Sequence, residues 1–142
     1  MTHGLDTSFL VAVEVSSHKE HARARSRLQK LLKARDTLAL APQILAEFVH
    51  VVTDPRRFSS PLTVEEAAAR AETWWNAAEV VHVFPTPESI ALLLGWLEEH
   101  HLGRKRLLDT MLASTFQAGG VSSILTLNRD DFAMFGGFSF PR

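Results

Sequence analysis

Short apolar runs alternate with amphipathic segments along the whole chain, and that alternation predicts strands and helices in turn. Gly4-Leu5-Asp6 reads as a short strand end that runs into a helix over Thr7 to Val13. Ser17-His18-Lys19-Glu20 has the form of a capping box opening a polar helix through about Lys33. Leu38 to Ala41 reads as a buried strand, and Pro42 suits the first position of the helix that follows. Ile44, Leu45, Phe48, Val49 and Val52 make an apolar stripe at helical spacing. Thr63-Val64-Glu65-Glu66 is a second capping box, with a helix running past Trp74 and Trp75. Val80 to Phe84 predicts a strand, and Thr86-Pro87 starts a helix that ends before Gly103. Leu107, Leu108, Met111, Leu112 and Phe116 mark a helix closed by Gly119-Gly120. Ser123 to Thr126 reads as a strand and Asp131 to Met134 as a short helical turn. Phe138 to Phe140 suits a last edge strand.

Strands alternating with helices imply right-handed crossovers and a parallel sheet covered on both faces. The expected fold is therefore α/β, in one domain over residues 1–142, a length sufficient for a real core. The helices at 63–78 and 86–102 suggest an insertion or arm. Their tryptophans and leucines offer apolar surface for self-association, although core packing accounts for tryptophans equally well.

Composition narrows the chemistry. Apolar residues make up 46% of the 142, which marks a folded chain. A net charge of −1 and a pI near 6.7 argue against indiscriminate coating of nucleic acid but leave room for a local basic patch. With no cysteine, thiolate metal sites, disulfides and thiol nucleophiles are excluded, and a reducing cytoplasm is the expected location. No apolar run reaches the roughly 18 residues of a membrane span. No basic region followed by an apolar core opens the chain, so no secretory signal is expected.

Four acids, Asp6, Glu47, Asp109 and Asp131, fall at or near junctions between strands or loops and helices. In a parallel sheet such junctions gather along the carboxyl edge, where ligands bind. Each acid has an ordinary use as well. Asp6 suits a helix N-cap. Glu47 suits solvent beside its apolar stripe. Asp109 in a first helical turn suits the helix dipole. Asp130 and Asp131 suit a turn. As a set, crowded carboxylates need a shared proton or a cation. Oxygen ligands without cysteine point to Mg²⁺ or Mn²⁺, and such a site fits metal-assisted phosphodiester cleavage.

Other constellations are weaker. The histidines His3, His18, His21, His50, His82, His100 and His101 form no HExxH pair and read as solvated surface groups. There is no Walker loop, GxGxxG or GxSxG. A phosphotransferase using Asp6 as nucleophile wants an acid two residues on, where this chain has Ser8. Basic residues cluster at Arg23, Arg25, Arg27, Lys30, Lys33 and Arg35, at Arg56-Arg57, and at Arg104-Lys105-Arg106. Charge runs usually form solvated faces. The third run is the most suggestive, because it sets positive charge beside Asp109, as a polyanion approaching carboxylates requires.

Leu5-Asp6-Thr7-Ser8, Pro42 to Phe48, Leu108 to Ala113 and Thr126 to Phe132 resemble the motifs of a PIN domain, in order and with typical spacing. More narrowly, they and Asp54-Pro55-Arg56-Arg57-Phe58 resemble the VapC-type toxin of a bacterial toxin–antitoxin pair. The resemblance implies a three-layer fold with a parallel sheet of four to five strands, flanked by helices. It implies a Mg²⁺-dependent (or Mn²⁺-dependent) endoribonuclease that cuts tRNA or ribosomal RNA, stops translation, forms a homodimer and is blocked by a cognate antitoxin. Asp6 and Asp109 would be the main metal ligands, with Glu47 completing the shell or holding a metal-bound water. Family spacing selects Asp131, directly before Phe132, over Asp130 as the fourth acid; some PIN domains carry an acid where this chain has Asn128. Ser8 or Thr126 could hydrogen-bond a ligand, and Arg104, Lys105 or Arg106 would steer the RNA backbone. Two further readings are a PIN nuclease of RNA processing or repair without an antitoxin, and a catalytically silent antitoxin-binding module.

Overall fold

The computed structural model describes residues 1–142. Strands β1 (Thr2–Leu5), β2 (Thr37–Leu40), β3 (Val80–His82) and β4 (Ile124–Leu125) form one parallel sheet in the order β3-β2-β1-β4. The helices are α1 (Thr7–Glu14), α2 (His21–Lys33), α3 (Pro42–Val52), α4 (Val64–Trp75), α5 (Pro87–Glu99), α6 (Leu107–Ala118) and α7 (Asp130–Ala133). They pack in two groups that flank the sheet, α1 with α2 and α3, then α4 on α3, and α5 on α6 with α7 beside it. No helix is long and apolar enough to cross a membrane.

The two central strands are buried through almost their whole length, as parallel strands covered on both faces must be. Leu5, Leu38, Leu40, Ile124, Phe9, Phe48 and Phe116 are fully buried around them. Gly4 sits at the crowded centre, paired with Ala39 on one side and Ile124 on the other. A Cβ there would fall 2.5 Å from the Phe116 ring, so the close approach of β1 to α6 requires glycine.

Three expectations change in detail. The Ser17–Glu20 capping box does not form. Residues 15–21 make successive turns instead, with His18 N–H donating to Val15 O and His21 N–H to His18 O, each at 3.0 Å. The His18 Nδ1 accepts the Glu20 N–H at 3.0 Å, and α2 starts at His21 without a side-chain cap. The Thr63 box does form, with both reciprocal bonds present. The strand over 138–140 reduces to one parallel bridge between Ser123 and Ser139. Finally, the expected arm lies down on the body. Trp74 and Trp96 belong to the core, and the Trp74 indole N–H donates to Glu14 at 2.6 Å, tying α4 to α1. The leucines of the second of these helices, α5, do leave apolar surface exposed, at Leu94, and Phe84 and Leu108 are exposed as well.

At the amino end of the sheet His3 joins the chain's beginning to two distant segments. Its Nδ1 lies 2.7 Å from Ser123 Oγ and its Nε2 lies 3.0 Å from Asp36 Oδ2. The bond to His3 holds the Asp36 carboxyl below its usual range. These are the residue types of a Ser-His-Asp relay, but Ser123 is fully buried, so no substrate can reach its hydroxyl. The trio acts as a polar pin. His3→Ala leaves Ser123 without its partner in the interior and is expected to cost about 1–3 kcal/mol in chemical denaturation. An unchanged denaturation midpoint would show that the pin adds nothing.

Candidate active site

The carboxyl ends of β1 and β4 open into a cleft of about 600 Å³ lined by Asp6, Glu47, Asp109, Asp131 and Asn128. Asp6 reaches it because it both ends β1 and caps α1. Its N–H continues the ladder to Leu125 O at 3.1 Å, and its Oδ1 accepts the Thr7 N–H at 2.8 Å. The capping use and the site use therefore coincide in one side chain. Two hydroxyls fix the other oxygen: Ser8 donates to Oδ2 at 2.9 Å and Thr126 at 2.7 Å. Those hydroxyls are themselves oriented, since Ser8 Oγ accepts the Leu127 N–H and Thr126 Oγ1 accepts the Asn128 N–H, both at 3.0 Å. Burial pushes the Asp6 carboxyl up, against the pull of these bonds.

Glu47 comes in from α3, whose apolar stripe buries Ile44, Phe48 and Val52 and thereby turns the glutamate towards Asp6. Thr7 Oγ1 donates to its Oε2 at 2.8 Å, and half-burial raises its carboxyl, with the Asp6 charge adding to the rise. Asp109 stands in the first turn of α6. Burial first, then the charges of Asp6 and Asp131, push it from 3.8 to about 6, with Arg106 opposing. Asp131 completes the lining from α7, while Asp130 is exposed on the same turn and does not line the cleft.

Arg106 has a different place from the one expected of it. Its guanidinium lies 3.3 Å from Asp131 Oδ1 and donates to the Asp131 carbonyl at 2.8 Å. It clamps α7 beside the cleft, leaving Arg104 and Lys105 as the exposed members of that run. The lining also includes His18, Arg57 and Phe58, which were not singled out as site residues. Arg57 and Phe58 belong to the Asp54–Phe58 run, where Asp54 accepts the Arg56 N–H at 2.9 Å and pairs with Arg57 at 3.5 Å. That turn sets a cation and an aromatic ring against the acids. His18 reaches the cleft from the turns ahead of α2, although its sequence context suits a solvated ring.

The donor set fits a hard cation. Four carboxylates face one volume, three of them are raised, and Arg106 is the only cation acting on Asp109. Oxygen ligands of this type suit Mg²⁺ or Mn²⁺. No three of the carboxylates converge closely enough to form a finished coordination shell. Their mutual repulsion opposes such convergence until positive charge arrives.

The raised carboxyls have a thermodynamic sign. Asp109 binds its proton more tightly folded, at about 6, than at its ordinary 3.8. Its contribution to stability is therefore full below the ordinary value and is lost as pH rises through the folded value. Metal-free protein is expected to show a stability gain attributable to Asp109 between neutral pH and about pH 4. The difference in melting temperature between native protein and Asp109→Asn isolates it, and should narrow across that window. A constant difference counts against the shift.

The family model for the PIN domain matches residues 5–136. The chain is 30% identical over 110 residues to a VapC ribonuclease of Mycobacterium bovis and to ribonuclease VapC43 of Mycobacterium tuberculosis, covering 78% of this chain and 67% of each relative. Among solved structures, Mycobacterium tuberculosis VapC20, a toxin that cleaves the sarcin–ricin loop, aligns with a TM-score of 0.73 at 17% identity over 100% of both chains. VapBC-1 from nontypeable Haemophilus influenzae aligns at 0.65 and 19% identity, covering 99% of this chain and 96% of that one. FitAcB from Neisseria gonorrhoeae gives 0.63 and 14%, over 100% and 97%. At these identities the structural likeness establishes the fold.

Proposed function

The chain belongs to the PIN-domain family, with VapC ribonucleases as distant relatives, and from that premise we propose that it is a Mg²⁺-dependent endoribonuclease toxin of a toxin–antitoxin pair. The observation that carries the reading is the cleft in which Asp6, Glu47, Asp109 and Asp131, from four separate segments, face one another with raised carboxyls among them. Asp6, Asp109 and Glu47 would hold the ion. Bound there, Mg²⁺ or Mn²⁺ would supply a lowered water pKa and neutralise charge on the scissile phosphate. Glu47 or Asp131 accepts a hydrogen bond from the attacking water and aims it in line at phosphorus. The P–O3′ bond breaks, leaving a 5′-phosphate and a 3′-hydroxyl. Ser8 and Thr126 hold Asp6 in one rotamer throughout.

The partners follow from the same reading: tRNA or ribosomal RNA as substrate, in the cytoplasm, and a cognate antitoxin that blocks the cleft. VapBC-1, similar in fold to this chain, is a toxin–antitoxin complex. A homodimer is supported by apolar side chains left exposed on two packed helices, Ile90 and Leu94 on α5 and Leu108 on α6, which a second copy could cover. The test is incubation of purified tRNA and ribosomal RNA with the protein in Mg²⁺ and in EDTA. A discrete Mg²⁺-dependent cut is expected, weakened more by Asp131→Asn than by Asp130→Asn. Cleavage that survives EDTA would exclude the proposed chemistry. Co-expression with a small open reading frame upstream should silence the cut, and its failure to do so would favour a nuclease without an antitoxin.

A further inference from the structure

The acidic cleft does not end at Asn128. His18, Leu127 and Asn128 are shared with a neighbouring groove, and that groove shares Arg23, Arg27 and Arg129 with a third depression. The third is lined by Arg23, Ser26, Arg27, Lys30, Arg129 and Arg142, with no acidic side chain among them. The surface is thus one path that leaves the acidic cleft, passes Lys19 and the Glu20–Arg23 ion pair, and ends among guanidinium groups.

We infer that this path is the RNA-backbone track of the enzyme, taking phosphates on one side of the scissile position, with Arg27 and Arg129 as its main contacts. The inference rests on the ribonuclease reading and deepens it. Arg23, Arg27 and Lys30 recur at four- and three-residue steps on one face of α2. They extend over about 10 Å at a rise of 1.5 Å per residue, enough to meet more than one phosphate. Arg129 directly follows Asn128 of the cleft, so α2 and the start of α7 form the two walls.

Apart from Arg23, which pairs with Glu20 at 3.6 Å, these cations lack ion-pair partners. Ion pairs form at Arg23, Arg56, Arg57, Arg70 and Arg106, but none forms at Arg27, Lys30, Arg129 or Arg142. The Arg27 Nε is buried without any hydrogen-bond acceptor. An unsatisfied buried donor is costly, and a guanidinium is shaped to bind phosphate oxygens in pairs. Burial first, and then the charges of Arg129 and Arg23, hold the Arg27 guanidinium below its usual range, with Glu20 opposing. The Arg104–Arg106 run is the poorer candidate, because Arg106 is already committed to Asp131.

The test is binding of a short fluorescein-labelled single-stranded RNA, read by anisotropy with Mg²⁺ present, to the full chain carrying Asp109→Asn. Three double variants are compared on that background. Arg27→Gln with Arg129→Gln removes the main contacts. Lys30→Gln with Arg142→Gln removes exposed members of the track that no folding contact requires. Arg25→Gln with Lys33→Gln removes the same charge from outside it. Expected is a loss of about tenfold or more for the first pair, a smaller loss for the second, and under about twofold for the control. The slope of log affinity against log salt should fall by about 1.4 in the first pair, at about 0.7 per phosphate contact. Affinity within about twofold of the parent for both track pairs overturns the inference, as does an equal loss in the control. Loss of binding to an acidic peptide with RNA binding intact also overturns it, in favour of a protein partner. The two proposals separate cleanly. If track variants lose RNA while the native protein cuts none, the ribonuclease reading fails alone. If they bind normally on that background, and the same substitutions with Asp109 intact leave the native cut unchanged, the track fails alone.

Discussion

Asp109→Asn is expected to abolish Mg²⁺-dependent RNA cleavage while making the metal-free protein more stable at neutral pH. Both effects come from one charge. Asp109 is where burial and the fields of Asp6, Asp131 and Glu47 meet, which is why its carboxyl rises to about 6. At neutral pH the folded protein must keep that group ionised in a half-buried, negative setting, and amide substitution removes the strain without changing shape. On the proposed reading, the same substitution also deletes an anionic ligand of the ion. Losing even a supporting partner of a metal ligand costs about 10–100-fold, and loss of the ligand itself should exceed that. The expected result is therefore no detectable cleavage with a raised melting temperature in EDTA. If activity persists near the native level, Asp109 is not a ligand. If activity disappears together with folding, as circular dichroism would reveal, the experiment reports on α6 rather than on the site.

Much of this was legible in the sequence, for identifiable reasons. The apolar stripe of α3 fixes which way Glu47 points, because a helix that buries Ile44, Phe48 and Val52 has little choice about its flank. Asp6 was readable as a cap, and its cap geometry is what delivers it to the cleft. Asp131 was singled out over Asp130 only by resemblance to the family's spacing; in the fold Asp131 lines the cleft, beside the buried Phe132, while Asp130 is exposed. Local pattern failed where a competing contact decides. Ser17–Glu20 and Thr63–Glu66 have the same capping signature, yet only the second forms, since His18 takes the Glu20 N–H that Ser17 would accept in a box. Arg106 sits in a basic run that local sequence cannot distinguish from its neighbours. Its contact with Asp131 spans 25 positions. The basic track draws on α2, α7 and the last residue of the chain, segments whose proximity only the fold creates.

Thr126→Val tests the least visible part of the site. The two side chains have similar shape, so the buried position after β4 keeps its packing, but the hydroxyl is lost. That hydroxyl donates to Asp6 Oδ2 at 2.7 Å and accepts the Asn128 N–H at 3.0 Å. Removing it leaves Asp6 Oδ2 with Ser8 alone, weakens the hold on its ionised form and loosens the backbone leading to Arg129. The bonds from Ser8 and Thr7 remain, so Asp6 should stay in the cleft. The expected result is a loss of about 10–100-fold in Mg²⁺ affinity, the usual effect of removing a partner that orients a metal ligand. It should show as a higher Mg²⁺ requirement for cleavage, with most of the rate recovered at saturating metal. Thr126→Ser, which restores the donor, should recover the native Mg²⁺ dependence. A native Mg²⁺ requirement in the valine variant would mean that the hydroxyl only packs. A rate deficit that no Mg²⁺ concentration relieves would move its role from holding Asp6 to positioning RNA through Asn128.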